Sequence, residues 1–161
     1  MQKKDIVLVS ACLLGVNCRY DGTSKRDPDV LEWVRDKVVV PVCPELLSGL
    51  GFPRLPAEIE AGDGYAVLSG KSRVLLRDGR DVTREFLAGA KEALKIAKLH
   101  PLKLALLKEM SPSCGVNYIY NHKKRVRGVG IFCALLMREG YTVISETDLA
   151  AGKNSQPSPS S

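Results

Sequence analysis

Four short apolar runs, at 6–11, 38–42, 104–107 and 141–145, punctuate this chain, and none alternates strictly between apolar and polar positions. Runs of this length, rich in Val, Ile and Leu, predict strands buried on both faces of a parallel sheet. Helical signals lie between them. At 28–37, Asp27 is placed as N-cap, Pro28 as the first helical residue and Asp29 in the first turn. Further on, Phe86, Leu87, Ala90, Leu94 and Ala97 form an apolar stripe at helical spacing, capped by Asp81 or Thr83 and stopped by Pro101. At 130–138, Ile131, Ala134, Leu135 and Arg138 keep helical register, and Gly140 suits the position after the helix.

The remaining segments read as connections. Residues 13–26 are polar and glycine-containing, and 44–56 hold Gly49, Gly51, Pro53 and Pro56, so both are expected to be loops. Residues 65–68 and 72–76 read as a small hairpin across Ser69-Gly70-Lys71, with a further turn at 77–80. From about Ala150 the composition is that of a disordered tail. The order β, α, β, hairpin, α, β, α, β implies right-handed crossovers. It predicts a single small Rossmann-like α/β domain over 1–149, with a parallel sheet and an inserted β-hairpin, followed by a tail at 150–161.

Composition narrows the setting. A hydrophobic fraction of 45% and a charged fraction of 26% are ordinary for a globular domain of 161 residues. The N-terminus carries no signal-peptide pattern, and the run 6–14 is broken by Ser10 and too short for a membrane span, so a cytoplasmic protein is expected. Five cysteines make an odd count for a disulfide scaffold; in a reducing compartment they are free or held by metal. The net charge of +6 suits a solvated surface better than a nucleic-acid footprint, because the basic cluster at 122–127 is short and lacks interleaved aromatics.

The cysteines carry the candidate chemistry. Cys12, Cys43 and Cys114 each stand just past a predicted strand. In a parallel sheet those strand ends open into one crevice, where ligands of such sheets bind. Three convergent thiolates suit an iron–sulfur cluster with one open iron, or a metal with a vacant position. A Cys-x-x-Cys knuckle does not occur, which argues against a small structural zinc site. Cys133 lies between Phe132 and Ala134 on a predicted helix and reads as core. Cys18 stays open as a fourth ligand, a resolving thiol or a spectator.

Other polar residues flank the thiols. Glu45 follows Cys43-Pro44 and reads either as a general acid or base facing the crevice or as a carboxylate capping backbone amides. Ser111 and Ser113 bracket Pro112 before Cys114, as substrate-orienting hydroxyls or as turn caps, and Gly115 permits close backbone approach. Asn17, Arg19, Tyr20 and Asp21 form a polar first loop, and Arg54 is a candidate for an ion pair with Glu58 or for substrate contact. His100 and His122 lie outside the cysteine motifs, and neither a dinucleotide fingerprint nor a P-loop is present.

Four motifs in order, Ser10-Ala11-Cys12-Leu13-Leu14-Gly15, Asn17-Cys18-Arg19-Tyr20-Asp21-Gly22, Pro41-Val42-Cys43-Pro44-Glu45 and Ser111-Pro112-Ser113-Cys114-Gly115, resemble the TudS-like thiouracil desulfidases. The resemblance runs from about Asp5 to Asp148 and takes in Pro53-Arg54 and 79–89. It implies a [4Fe–4S] cluster held by Cys12, Cys43 and Cys114, with the fourth iron free for the sulfur of a thiolated nucleobase or nucleoside. The implied reaction is non-redox hydrolysis of thiouracil to uracil and hydrogen sulfide. Glu45 is implied as proton shuttle and Ser111 or Ser113 as a hydrogen-bonding assistant, with Asn17, Arg19, Tyr20 and Arg54 as substrate-binding candidates. An open iron is oxygen-labile, so aerobic handling is expected to strip the cluster or exchange it for zinc. The competing readings are a non-catalytic cluster- or zinc-binding module, in some settings RNA-associated, and a thiol redox protein using Cys12 and Cys18. The sequence leaves the preferred substrate and the oligomeric state open.

Overall fold

The computed structural model describes residues 3–155. Its elements are β1 (Ile6–Ser10), a 3-10 turn (Ala11–Leu14), α1 (Pro28–Trp33), β2 (Val38–Val42), α2 (Pro44–Leu47), β3 (Ala57–Ile59), α3 (Gly64–Leu68), β4 (Val74–Leu76) and α4 (Thr83–Lys98). After these come β5 (Leu104–Leu107), β6 (Tyr118–Asn121), β7 (Lys124–Arg127), α5 (Ile131–Arg138), β8 (Thr142–Ser145) and α6 (Glu146–Ser155).

Four strands form one parallel sheet in the order β2-β1-β5-β8. Successive side chains of β1 point to opposite faces. Val7 and Val9 enter one core with Val30 and Leu106, while Leu8 enters the other with Phe86, Ala90, Ala105 and Phe132. Both faces are covered, which is why the strands read as unbroken apolar runs. The chain leaves β1 toward β2 on one side and reaches β5 on the other. The topology therefore opens a crevice at the carboxyl ends of β2, β1 and β5.

The fold class is that expected: a mixed α/β domain whose four-stranded sheet is parallel, with antiparallel pairs added. Several local expectations are corrected. The inserted antiparallel pair joins β3 to β4, with Ala57 opposite Leu76, and 65–68 is helical. Asp63 starts that helix by accepting from the Tyr65 N–H at 3.1 Å, so capping outweighs the strand propensity of Tyr-Ala-Val-Leu. The segment after Cys43 opens with α2, and the one after Ser10 with a 3-10 turn. Helix α1 stops at Trp33, short of Lys37.

A second hairpin, β6 with β7, was not expected at all; His122 and Lys123 turn it with φ of 48° and 65°. The helix α6 runs through the boundary expected for a tail at Ala150. Its first turn is fixed where Asp148 accepts from Ser145 N at 3.0 Å and Asn117 Nδ2 at 2.9 Å. Residues 156–161 lie outside the described residues. No helix among the described residues is long and apolar enough to cross a membrane.

Candidate active site

A cavity of about 500 Å³ lies at the carboxyl ends of β2, β1 and β5. Its wall includes Cys12, Cys18, Cys43 and Cys114, so the topology brings all four thiols to one place. Each of the three strand-end cysteines is delivered by a different local device.

Cys12 sits in the 3-10 turn that follows the central strand. Gly15, at φ 101°, ends this turn and donates to Cys12 O at 3.3 Å. Cys43 is the residue before α2, and Pro44 at the first helical position turns the chain there. Cys114 is held by a turn built on Ser111. The Ser111 Oγ accepts from Ser113 N at 3.0 Å and Cys114 N at 3.1 Å, and Gly115 N donates to Ser111 O at 2.8 Å. Space around this turn is tight. A Cβ on Gly115 would meet Tyr118 O at 2.6 Å, and one on Gly130 would meet the Ser113 carbonyl carbon at 2.4 Å.

The same loop is fastened from inside by Glu109, which is 3% exposed. Its Oε1 accepts from Val116 N, Asn117 N and Tyr118 N at 2.8, 2.8 and 2.9 Å, and its Oε2 accepts from Asn117 Nδ2 at 2.9 Å. Burial pushes this carboxyl up. The three backbone N–H groups outweigh burial and hold it below its ordinary value. Met110, next in the chain, takes the left-handed conformation at φ 74°.

Glu45, in the first turn of α2, lies on the cavity wall between two donors. Arg54 Nη2 donates to Oε1 at 3.0 Å, and the Ser111 hydroxyl donates to Oε2 at 3.2 Å. The Arg54 side chain is 6% exposed, and Glu45 keeps 19%. Arg54 is also tied to Gly51 O at 2.9 Å and Cys18 O at 3.4 Å. Its Nε is buried without a hydrogen-bond partner among the described residues.

The thiols differ in their proton affinity. A hydrogen bond from the Cys18 thiol holds Cys12 below the usual thiol range, against burial, and Lys108 adds in the same direction. The same thiol lowers Cys43, again against burial, and the Leu46 N–H helps. Giving those bonds pushes Cys18 far up. Burial pushes Cys114 well up, with the Ser10 hydroxyl opposing. All five cysteines are free, and Cys133 lies in the core, where burial raises it to about 12.

Of the residues singled out from sequence, Arg19, Tyr20, Glu45, Arg54 and Ser111 line the cavity with the thiols. Asn17 and Ser113 are not part of its wall. Asn17 is solvent-exposed, whereas Ser113 is 1% exposed and gives its carbonyl to the N–H groups of Phe132 and Cys133. Arg54, left open between an ion pair with Glu58 and a substrate contact, pairs instead with Glu45.

Sequence reasoning passed over Ser10, Lys108 and Glu109, which also line the cavity. Ser10 had a signal: it is the one polar residue in the first apolar run. Lys108 and Glu109 follow β5 directly, at its carboxyl end. Lys108 Nζ lies 3.1 Å from Glu146 Oε2 and donates to Glu109 O at 2.8 Å.

The arrangement pairs soft metal-ligating thiols with a carboxylate gripped at both oxygens. The model for 2-thiouracil desulfurase matches residues 7–148. The chain belongs to the 2-thiouracil desulfurase family. It is 43% identical over 147 residues to the uncharacterised protein YbbK of Bacillus subtilis (strain 168), covering 89% of this chain and 97% of that one. A solved structure, that of the [4Fe-4S]-dependent thiouracil desulfidase TudS, is 40% identical with a TM-score of 0.74, over 94% of this chain and 99% of that one. Family and fold thus agree with the resemblance carried by the four motifs.

Proposed function

We propose that this protein is a desulfidase that hydrolyses the C–S bond of a thiolated nucleobase or nucleoside, with thiouracil and water giving uracil and hydrogen sulfide. The observation that carries this reading is Glu45, gripped by Arg54 and Ser111 on the wall of a cavity that also holds Cys12, Cys43 and Cys114.

The donor set fits a [4Fe–4S] cluster held by those three cysteines. Three soft thiols come from three separate strand ends and share the cavity, with the thiol of Cys18 beside two of them. When bound, such a cluster with one open iron supplies a Lewis acid for the substrate sulfur.

The chain's own groups supply the rest. Ser111 has both oxygen lone pairs engaged by Ser113 N and Cys114 N, so its proton is directed at Glu45. That supports Ser111 over Ser113 as the assisting serine. Arg54 spends its guanidinium on Glu45 and backbone carbonyls, which supports a role in orienting Glu45. The carboxylate of Glu45 takes one proton from the attacking water and passes it to the departing sulfur, and then carries the second from the new C–OH as it becomes C=O, so that the water oxygen ends on the base and both its protons leave with the sulfur as hydrogen sulfide. Arg19 and Tyr20 stand on the wall of the same cavity, which supports them as contacts for the ring of a base. Free thiols throughout the described chain accord with a cytoplasmic setting.

Anaerobic assay of Glu45→Ala after loading with iron and sulfide tests this reading. Full iron content with sulfide release lost supports it; full turnover by the variant overturns it.

A further inference from the structure

Away from the thiols, positive charge gathers on the β6–β7 hairpin. Residues 118–127 carry Lys123, Lys124, Arg125 and Arg127 and no carboxylate. All four side chains are exposed, and none forms an ion pair among the described residues. Along the chain this basic cluster lacks interleaved aromatics, but folding supplies them. The ladder sets Tyr118 opposite Arg127 and Tyr120 opposite Arg125. Residues directly opposite in an antiparallel pair share a face, as do residues two apart in one strand, so the four stand together. The other face goes to the core, through Ile119 at 0% exposure and Val126.

The outward face has the parts of a stacking platform. The guanidinium carbon of Arg125 stands 4.2 Å from the centroid of the Tyr118 ring, and that of Arg127 stands 5.6 Å away. The ring of Tyr120 is 43% exposed and carries no such cation among the described residues. The hairpin is tied down at its turn. Glu58 Oε2 accepts from Lys123 N at 3.1 Å, and Ile59 O accepts from Asn121 Nδ2 at 2.6 Å. Tyr120 and Lys123 also belong to the wall of the cavity that holds the thiols. One ribbon therefore borders that cavity and presents tyrosines among arginines to solvent.

We propose that this face binds single-stranded RNA, with bases stacked on Tyr120 and on the guanidinium planes and with phosphates met by Lys123, Lys124, Arg125 and Arg127. Unpaired bases stack on tyrosine rings and on arginine planes, and neighbouring cations track the backbone. A lipid surface fits less well, because insertion needs exposed apolar side chains and those of the ribbon turn to the core. RNA is chosen over DNA because uracil, the product of the reaction proposed above, is an RNA base; to that extent the inference rests on that reading. The ribbon itself does not depend on a cluster.

Anisotropy of a labelled oligouridylate of about ten nucleotides, titrated with the full chain at several salt concentrations, tests this. Wild type is expected to bind, with affinity falling linearly in log salt. Replacing both arginines, Arg125→Ala with Arg127→Ala, should weaken binding and flatten that slope by up to about 1.4. Tyr120→Ala should weaken binding on the order of tenfold and leave the slope unchanged, as loss of stacking does. Lys91→Ala with Lys95→Ala, at exposed positions of α4, should change little, and melting temperatures show that each variant is folded. Absence of binding overturns the proposal, as does an arginine variant or Tyr120→Ala that binds like wild type. Equal loss in the α4 variant reduces the effect to overall charge and overturns it too. Tighter binding of the matching DNA strand, or of vesicles containing phosphatidylserine, overturns the choice of partner. RNA binding of the expected kind by a protein that, loaded with iron and sulfide, leaves thiouracil intact supports this surface and contradicts the desulfidase reading instead.

Discussion

The Ser111 hydroxyl donates to Glu45 Oε2 at 3.2 Å, joining the turn that carries Cys114 to the short helix that follows Cys43. The bond couples two functions in one residue. The same oxygen accepts the backbone N–H groups of Ser113 and Cys114, so the group that aims the carboxylate also shapes the loop of a candidate ligand.

Substitution at the two serines should therefore give unequal results. Ser111→Ala removes a partner from Glu45 and leaves two backbone N–H groups unpaired at a cost of about 1–3 kcal/mol. It should lower both the melting temperature and the rate of sulfide release. Ser113→Ala, at a position off the cavity wall, should leave sulfide release near wild type. Equal loss in both variants would contradict the assignment.

Removal of the Glu45 carboxylate should cost far more in rate than in fold. General acid–base groups contribute about 10²–10⁴-fold, and Glu45→Gln should lose activity in that range while keeping its iron. Arg54→Lys should fall between Glu45→Gln and wild type, since an ammonium retains charge without the planar fork that reaches Glu45 and two carbonyls. Iron content and sulfide release, measured on the same samples, check both.

Glu109 should give the fold an acid-sensitive component. Its carboxyl lies below its ordinary value in the folded protein, because backbone N–H groups outweigh burial. A group depressed in this way stabilises the fold above its unfolded value, near 4.5, and that contribution is lost as pH falls through the lower folded value. Melting temperature followed from pH 7 downward should drop for wild type below about pH 4.5. Glu109→Gln should be less stable by about 1.5–3 kcal/mol at neutral pH, so that its melting temperature starts lower and shows a shallower acid fall. A variant with the wild-type acid profile would contradict this.

Gly130→Ala tests the packing beneath the cysteine turn. The backbone at Gly130 has φ −75°, so alanine brings no conformational strain there. Its methyl would instead strike the Ser113 carbonyl and the Cys114 N at 2.4–2.7 Å. The expected outcome is a loss of about 1–3 kcal/mol in stability together with reduced iron uptake. Unchanged iron uptake would show that the turn tolerates displacement.

Much of the architecture was legible because strands buried on both faces leave plain apolar runs, as at Val38–Val42 and Leu104–Leu107. The convergence of Cys12, Cys43 and Cys114 followed from parallel topology alone. What escaped was set by tertiary contact. Residues 65–68 carry strand-forming side chains, yet Asp63 caps them into a helix and its other oxygen accepts from Val129 N at 3.2 Å. The β6–β7 hairpin has no glycine at its turn; His122 and Lys123 take positive φ, and Lys123 N is received by Glu58 at 3.1 Å. At the site, nothing in the spacing distinguished Ser111 from Ser113. The two differ in which way the turn aims them, and the turn and the loop after it are fastened by Gly115 and Glu109, neither of which carries the chemistry.

The central claim is that the cavity at the ends of β2, β1 and β5 holds a cluster on Cys12, Cys43 and Cys114 and removes sulfur there. Anaerobic reconstitution of wild type with iron and sulfide, followed by addition of 2- or 4-thiouracil, tests it directly. The account predicts a brown protein with about four irons per chain that releases hydrogen sulfide and the desulfurised base, with Cys12→Ala, Cys43→Ala and Cys114→Ala each unable to load. A protein that remains colourless, or that loads fully yet leaves both thiouracils intact, would contradict it.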